Sequence, residues 1–502
     1  MSNGLVIRAD ASSSMGVGHL VRSLALAQAW TDAGRQAVMA TAGDPRRWDA
    51  LVAGQGIEML GTEREPGSAE DAKETIDLAR SRGAAWVAVD GYHFGHDYQR
   101  AVRDAGLRLL AIDDYGHADR YEADIVLNQN VYADESYYTD REPTTRLLLG
   151  TRYALLRRPF AAYRDWRREI PAVARRVLVT LGGGAADRVM TTVIEALAQA
   201  DIEGLEAKVV VGASAERLAK LGPAAERSGG KVRLVQAADE MPQLMAEADV
   251  AVSAGGSTSW ELAYMGLPTV AVVLSDNQRP VVRRLARDGV VEDLGSPSGL
   301  TGRSIAATLV SLMRSLERRR EMSCRGRRLV DGLGAARVVD HMAGPLLSIR
   351  LAGEDDCEAV WRLSNDPLVR AQSFSSEPIP WERHVGWYAA KLRDPGYVFY
   401  VALDGHGRVI GQVRYETGDD EAVVSVSLDE SSRGQGYAGR LIELASGRVL
   451  TDGRAETIHA YVKRDNERSA RAFLRAGYRE VEPLTYHGSP SRHLVMTKDG
   501  GR

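Results

Sequence analysis

The sequence predicts an α/β protein built as a pair of doubly wound, Rossmann-type parallel units followed by a smaller mixed α/β domain. Three observations carry this. Short apolar runs alternate with amphipathic stretches from residue 1 to about 165, and the alternation restarts after a basic, proline-bounded connector at 157–171. Near residue 345 the pattern gives way to successive strands joined by Gly/Asp turns. The length of 502 residues also leads one to expect about three domains. The boundaries fall at 1–165, 166–345 and 346–502.

In the first unit, strands are expected at 5–7, 36–40, 86–89, 107–112 and 125–127, with helices such as 19–33 and 69–82 between them. The second unit offers strands at 176–181, 208–211, 231–235, 250–253 and 269–273, closed by helices at 304–316 and 319–333. The arginines around 318–328 read as a solvated helix face. In the third unit a strand at 346–350 and a helix at 354–363 lead into strands at 398–403, 409–415 and 423–428. A helix at 440–450 and a strand at 457–462 follow.

A net charge of −4 gives no global electrostatic case for a nucleic-acid or membrane partner. Cys324 and Cys357 are too few for a disulfide framework or a zinc site, and they fit a reducing compartment. The first residues lack the basic and apolar regions of a secretory signal, and no apolar run approaches the ~20 residues of a spanning helix. A cytoplasmic location is expected. Asp113 and Asp114 are adjacent carboxylates that project differently, with no further ligand evident, so they read as structural and no metal site is expected.

The most informative stretch is 8–29, where an apolar strand runs into a loop holding Gly16 and Gly18 and then into a helix beginning near His19. Glycines at a strand-to-helix turn let a ligand approach the backbone, and helix N–H groups there favour anions. The positive end of the helix dipole disfavours imidazolium, so His19 is expected to act as a neutral base beside a bound phosphate, with a packing histidine as the alternative. The second unit supplies two more such turns, Leu181-Gly-Gly-Gly with Gly183, and Ser253-Ala-Gly-Gly-Ser-Thr. In the latter the amides of Gly255, Gly256 and Ser257 can cradle a pyrophosphate. Glu261, one turn further in, can accept from ribose hydroxyls or simply compensate the helix dipole.

Residues 1 to about 340 resemble the UDP-2,4-diacetamido-2,4,6-trideoxy-β-L-altropyranose hydrolases of pseudaminic acid biosynthesis, a metal-independent family with the GT-B fold. The resemblance rests on Arg8 to Ala27 around Gly-Val-Gly-His19, on 253–268, on Leu274-Ser-Asp-Asn-Gln278 and on Tyr153-Ala-Leu-Leu-Arg157. It implies hydrolysis at the anomeric carbon with UDP as leaving group. His19 would orient or deprotonate water, Asn277 would hold the sugar or departing phosphate, and Tyr92 would line the sugar pocket. Asp10 and Arg22 would shape the histidine turn. A turn residue is the alternative for Asn277.

In the third unit, Ser432-Arg433-Gly434-Gln435-Gly436-Tyr437-Ala438-Gly439 follows the strand ending at Leu428, and Asn466 and Ser469 open a later helix ending in Gly477-Tyr478. Both segments resemble the GNAT N-acetyltransferases. The resemblance implies that acetyl-CoA is the co-substrate, that the first turn holds its pyrophosphate, and that a strand N–H near Leu428 meets the oxyanion. Many members carry a tyrosine acid where this chain has Phe473, which leaves Tyr478, Tyr486 or an unassisted thiolate. His384 and Trp387 lie in the segment that covers the acceptor in that family, with a structural role as the alternative for the histidine.

Together the resemblances imply acetylation of a UDP-linked 4-amino sugar and hydrolytic loss of UDP. The rival readings are a GT-B glycosyltransferase, a non-catalytic nucleotide-sugar module serving the acetyltransferase, and a hydrolase for a differently configured diacetamido sugar.

Overall fold

A strand covered by helices on both faces is mostly apolar, and Gly4–Ala9 (β1) is buried at every position, its one charged residue, Arg8, being paired with Asp10 and Asp71. With β1 it organises a seven-stranded sheet of Gln36–Ala42 (β2), Glu58–Thr62 (β3), Ala84–Asp90 (β4), Arg108–Ile112 (β5), Ile125–Asn128 (β6) and Arg146–Leu149 (β7). The order is β3-β2-β1-β4-β5-β6-β7, and every pairing is parallel. The computed structural model describes residues 4–11, 17–182, 187–211, 215–236, 240–343, 347–404, 407–434 and 436–498.

A second parallel sheet of six strands follows: Arg176–Thr180 (β8), Glu206–Val210 (β9), Val232–Val235 (β10), Val250–Ala254 (β11), Thr269–Val272 (β12) and Val291–Asp293 (β13), in the order β10-β9-β8-β11-β12-β13. Strand order reverses between β1 and β4 in the first sheet and between β8 and β11 in the second. In open α/β sheets the crevice at that reversal, beyond the carboxyl ends of the strands, is where ligands bind. Among the described residues, Asp10 follows β1, Gly18, His19 and Arg22 lie in the first turns of the helix after it, Tyr92 follows β4, and Gly255, Gly256 and Ser257 follow β11.

The two sheets belong to one compact unit, Met1–Met342, and Ala343–Arg502 forms another. After the second sheet the chain crosses back: Val338, Val339 and Met342 of the helix Gly334–Ala343 join the first sheet's core with Leu5, Ile7 and Leu24. This return was not expected from the sequence, which placed one helix across 319–333. The observed helix Leu316–Leu329 stops before Gly332, whose φ of +78° breaks it. The strands missed in these two sheets, β3, β7 and β13, all lie at sheet edges. Edge strands are short and part exposed, so they lack the continuous apolar run that betrays an interior strand.

The second unit carries an eight-stranded sheet of Ser348–Leu351 (β14), Tyr397–Leu403 (β15), Val409–Gly418 (β16), Glu421–Leu428 (β17), Thr457–Lys463 (β18), Arg479–Glu480 (β19), Leu484–Tyr486 (β20) and Ser489–Thr497 (β21). Strands β14 to β17 form an antiparallel meander. β17 then pairs β18 in parallel, but only from Glu421 to Val423, and the two strands separate beyond that point.

The return helix begins where there is no room for a side chain. A Cβ on Gly334 would lie 2.2 Å from the carbonyl oxygen of Ala154 and 2.5 Å from its nitrogen. Gly334→Ala is expected to cost about 1–3 kcal/mol through this overpacking, read as a lower denaturant midpoint. An unchanged midpoint would contradict the close approach.

Candidate active sites

The first site is organised by a buried charge. Arg22 on the helix Gly18–Asp32 lays its guanidinium fork on Asp90 at the end of β4, with Nε 2.8 Å from Oδ2 and Nη2 2.7 Å from Oδ1. Its Nη1 reaches Asp114 Oδ1 at 2.7 Å. Burial alone would raise both carboxyls, but Arg22 holds Asp90 and Asp114 below the usual carboxylate range. Ser23 donates to Asp90 and Asn130 donates to Asp114, so the charges are hydrogen-bonded as well as paired.

His19 stands one turn before Arg22 and is 8% exposed. Its Nδ1 lies 2.6 Å from Asp90 Oδ1. Arg22 Nη2 also lies 3.1 Å from this nitrogen, but the shorter contact, to the carboxylate, is satisfied by the tautomer with the proton on Nδ1, in which Nε2 is the acceptor. The ring is thus oriented by Asp90, a partner to which the sequence analysis gave no role. Tyr92 packs edge-on against His19 with ring centroids 5.2 Å apart. The Tyr92 hydroxyl donates to Asp114 at 2.8 Å, and the Asn277 side chain is near enough to oppose the rise of its pKa. Burial, then the Asp114 charge, pushes the Tyr92 hydroxyl well above its usual range, so it serves as a neutral hydrogen-bonding group.

Asn277, exposed and holding Ser275 through its Oδ1, thus lies in the second half of the unit within reach of Tyr92 in the first. The turn after β11 approaches from the same side. A Cβ on Gly18 would lie 3.4 Å from Ser257 Oγ. Gly255 is fixed by packing, since a Cβ there would sit 2.4 Å from Val282, whereas Gly256 faces open space. Ser257 precedes the helix Thr258–Tyr264 and makes no side-chain cap. Glu261 is 8% exposed and lies 3.6 Å from Arg157 Nε, and burial pushes its carboxyl up against the opposing pull of that arginine.

Asp10 lies behind His19's turn rather than in the cleft. Its carboxylate takes Arg8 and the Ala42 amide and stands 3.0 Å from His93 Nε2, a set of partners that holds it low despite burial. Asp113 bonds His117 and Tyr138, as a structural carboxylate would. Asp114, read with it as structural, instead lies inside the site. Gly16, Gly183 and Gln435 lie outside the described residues.

In the second unit, the separation of β17 from β18 leaves the β17 edge unpaired on that side from Val424 to Leu428. Gly434 and Gly436 follow with φ of +77° and +86°, and a Cβ at either would meet nothing within 4 Å. This turn opens the helix Tyr437–Thr451, whose free amides suit a pyrophosphate. Tyr437 and Ala438 lie in its first turn, while Gly439 packs on Ala472. Arg433 folds back, donating to Leu428 O at 2.9 Å and pairing with Asp366 at 2.6 Å. Asn466 caps the helix Glu467–Arg475 by accepting from the Ser469 amide at 3.1 Å.

Phe473 is buried against Tyr478, and the Tyr478 hydroxyl is committed to Ser446 at 2.8 Å. Tyr478 is 2% exposed and lies in the core. Tyr486 stacks on Tyr461 with centroids 4.1 Å apart. His384 is buried, with Nε2 3.1 Å from Cys357 O, which is a structural placement.

Among the described residues no helix is long and apolar enough to cross a membrane, and no group of three His, Cys, Asp or Glu side chains could hold a metal ion.

Because Asp90 and Asp114 are held low in the folded chain, the unfolded chain takes up protons first as pH falls. Their stabilisation is present above about pH 4 and is lost as pH drops through the acid range. Arg22→Gln is expected to cost about 3–5 kcal/mol at pH 7 by leaving buried carboxylates unpaired, and to flatten the acid dependence. Urea melts at pH 7 and at about pH 2 test this, and an acid dependence in the variant equal to that of the wild type would contradict it.

Residues 176–326 match the glycosyltransferase family 28 C-terminal domain, and residues 347–479 match the acetyltransferase (GNAT) domain. An uncharacterised protein of Methanocaldococcus jannaschii is 19% identical over 95% of this chain and 97% of its own length. The UDP-2,4-diacetamido-2,4,6-trideoxy-beta-L-altropyranose hydrolase of Campylobacter jejuni is 27% identical over 31% of this chain, a match spanning 53% of that protein. The L-2,4-diaminobutyric acid acetyltransferase of Streptomyces anulatus is 28% identical over 25% of this chain and 69% of its own length. The chain is thus a GT-B-like unit, containing a glycosyltransferase family 28 C-terminal domain, joined to a C-terminal GNAT acetyltransferase domain.

Proposed function

We propose that the chain is a cytoplasmic bifunctional nucleotide-sugar enzyme of pseudaminic acid biosynthesis. Its GNAT domain transfers acetyl from acetyl-CoA to the 4-amine of a UDP-linked amino sugar. Its GT-B-like unit removes UDP from UDP-2,4-diacetamido-2,4,6-trideoxy-β-L-altropyranose by hydrolysis. The single observation that carries the second activity is His19, with Nδ1 on Asp90, Nε2 left as acceptor, and Tyr92 and Asn277 beside it.

In this mechanism a water oxygen bonds to the anomeric carbon while its proton passes to His19 Nε2. The bond from that carbon to the UDP oxygen breaks, and its electron pair leaves with UDP. Asp90 stabilises the imidazolium that forms, as a buried carboxylate does for a histidine base. Asn277 and Tyr92 hold the sugar or the departing phosphate, and the amides of Gly18, Gly255, Gly256 and Ser257 receive the diphosphate. Glu261 accepts from the ribose. The Campylobacter relative supports the substrate class through its name, across the half of its length that is matched.

For acetyl transfer, acetyl-CoA supplies the acyl group. The residues present fit it: the left-handed glycines 434 and 436 leave the backbone free for its pyrophosphate, and the unpaired β17 edge offers an N–H near Leu428 to the oxyanion. With Phe473 in the core and Tyr478 tied to Ser446, neither donates to the departing thiolate. The Streptomyces relative, named for an amine substrate, supports N-acetylation.

The match to a glycosyltransferase domain favours one second reading, transfer of the sugar to an acceptor. Incubation with the diacetamido UDP-sugar and EDTA, without acceptor, separates the two. The expected result is free sugar and UDP in equal amounts, with His19→Ala slowing release by about 10²–10⁴-fold. UDP release only on addition of an acceptor would support the transferase. Asp90→Asn, which offers an amide where His19 needs a carboxylate, is expected to lower kcat by about 10²–10⁴-fold with KM little changed. Unchanged kcat in steady-state assays would remove Asp90 from the mechanism.

A further inference from the structure

The half-open face of the acetyltransferase sheet carries two histidines in contact. Along β18, Ile458, Ala460 and Val462 enter the core with Phe473, while His459, Tyr461 and Lys463 face the other way, half-buried. His493 on β21 is registered opposite Tyr461 and shares that face. His459 Nδ1 lies 2.8 Å from His493 Nε2, so one imidazole donates to the other. The two rings are stacked with centroids 5.1 Å apart.

A carboxylate sets the direction of that hydrogen bond. His459 Nε2 is buried without a hydrogen bond, 3.6 Å from Glu421 Oε2. A carboxylate at that range favours the proton on Nε2, which makes His459 Nδ1 the acceptor and His493 Nε2 the donor. His493 Nδ1 then carries the lone pair at the end of the chain Glu421–His459–His493. Burial, and then His459, holds the His493 imidazole below its usual range, so it is neutral near pH 7. Other ionisable groups on this face are Tyr461 and Tyr486, Glu416, whose charge reaches Tyr486, and Lys463, whose Nζ donates to Ala371 O at 3.0 Å. Arg492, next to His493, is paired with Glu467 and Glu480.

Position connects the pair with acetyl transfer. Val423 opposite His459 is the last pairing before β17 and β18 part. The histidines therefore stand at the head of the opening whose β17 edge, from Val424 onward, offers N–H groups to the thioester oxygen. Phe374, which follows the helix Pro367–Gln372, packs on Tyr486 with centroids 5.0 Å apart, and Tyr486 in turn stacks on Tyr461. The pair thus borders a cup of rings beside the opening. His384 is spent on a backbone carbonyl and cannot compete for the role.

We propose that His493 is the general base of acetyl transfer, with His459 and Glu421 as positioning residues that hold its tautomer. The proposal rests on the acetyltransferase reading above and deepens it. The amine nitrogen bonds to the thioester carbon, and the proton it must lose passes to His493 Nδ1. The carbon–sulfur bond breaks, and its electron pair leaves with CoA as thiolate. The thiolate takes a proton from solvent, and the imidazolium returns one. Meanwhile the charge on His493 is stabilised through His459 by Glu421, as a carboxylate stabilises a histidine base.

The test follows CoA thiol release by the full chain with acetyl-CoA and the UDP-linked 4-amino sugar. His493→Gln should lower kcat about 10²–10⁴-fold near pH 7, with KM for acetyl-CoA within about twofold. The deficit should shrink about tenfold or more by about pH 9.5, where hydroxide takes over the proton, and added imidazole should restore part of the rate. Glu421→Gln, a change at an exposed side chain, should lower kcat about tenfold. Calorimetric binding of CoA, unchanged in both variants, shows that they are folded. Wild-type kcat in His493→Gln, or a loss of equal size at every pH without imidazole rescue, would overturn the base while leaving acetyl transfer standing. Wild-type kcat in Glu421→Gln would overturn the positioning role of that carboxylate. No transfer by wild type would overturn the acetyltransferase reading of the acceptor, and the base with it.

Discussion

Two carboxylates at the carboxyl ends of neighbouring strands repel each other and resist burial, and in the first unit one guanidinium resolves both problems. Arg22 spans Asp90 and Asp114, and nearly every feature of the cleft hangs on that bridge. Asp90 is kept ionised and so can orient His19 through Nδ1. Asp114 is kept ionised and so can take the Tyr92 hydroxyl, which lies near Asn277. One buried cation therefore ties the first helix to β4 and β5 and fixes the groups that face the cleft. Breaking such an arrangement at one member leaves the others buried without a counter-charge, which costs more than the pair contributes when whole.

In the two parallel sheets every interior strand was legible, because burial on both faces writes a continuous apolar run, and the strands missed there, β3, β7 and β13, are edges with few buried positions. In the third sheet β19, β20 and β21 were missed, although β21 is interior, since few of its residues are buried. The return of Gly334–Ala343 to the first core was also hidden, since a helix does not announce which sheet it will cover. The glycine turns could be read because close approach and left-handed backbone restrict residue choice. Gly434 and Gly436 are instances, and Gly255 is another.

The site was legible in part and for a physical reason. His19, Tyr92 and Asn277 were each named from local motifs, and the structure brings them together. The carboxylates that organise them were not assigned. Asp90 and Asp114 look like any acid at a strand end until a partner some 70 to 90 residues away is seen to reach them. Arg433 shows the reverse case, a motif arginine whose side chain turns to Asp366 and the end of β17.

The central claim is that a water activated by His19 attacks the anomeric carbon. Hydrolysis in ¹⁸O-labelled water tests it most directly, with mass analysis of both products. The account predicts label in the released sugar and UDP free of it, since the bond broken lies between carbon and oxygen. Label in the terminal phosphate of UDP would place the attack at phosphorus and contradict the role given to His19.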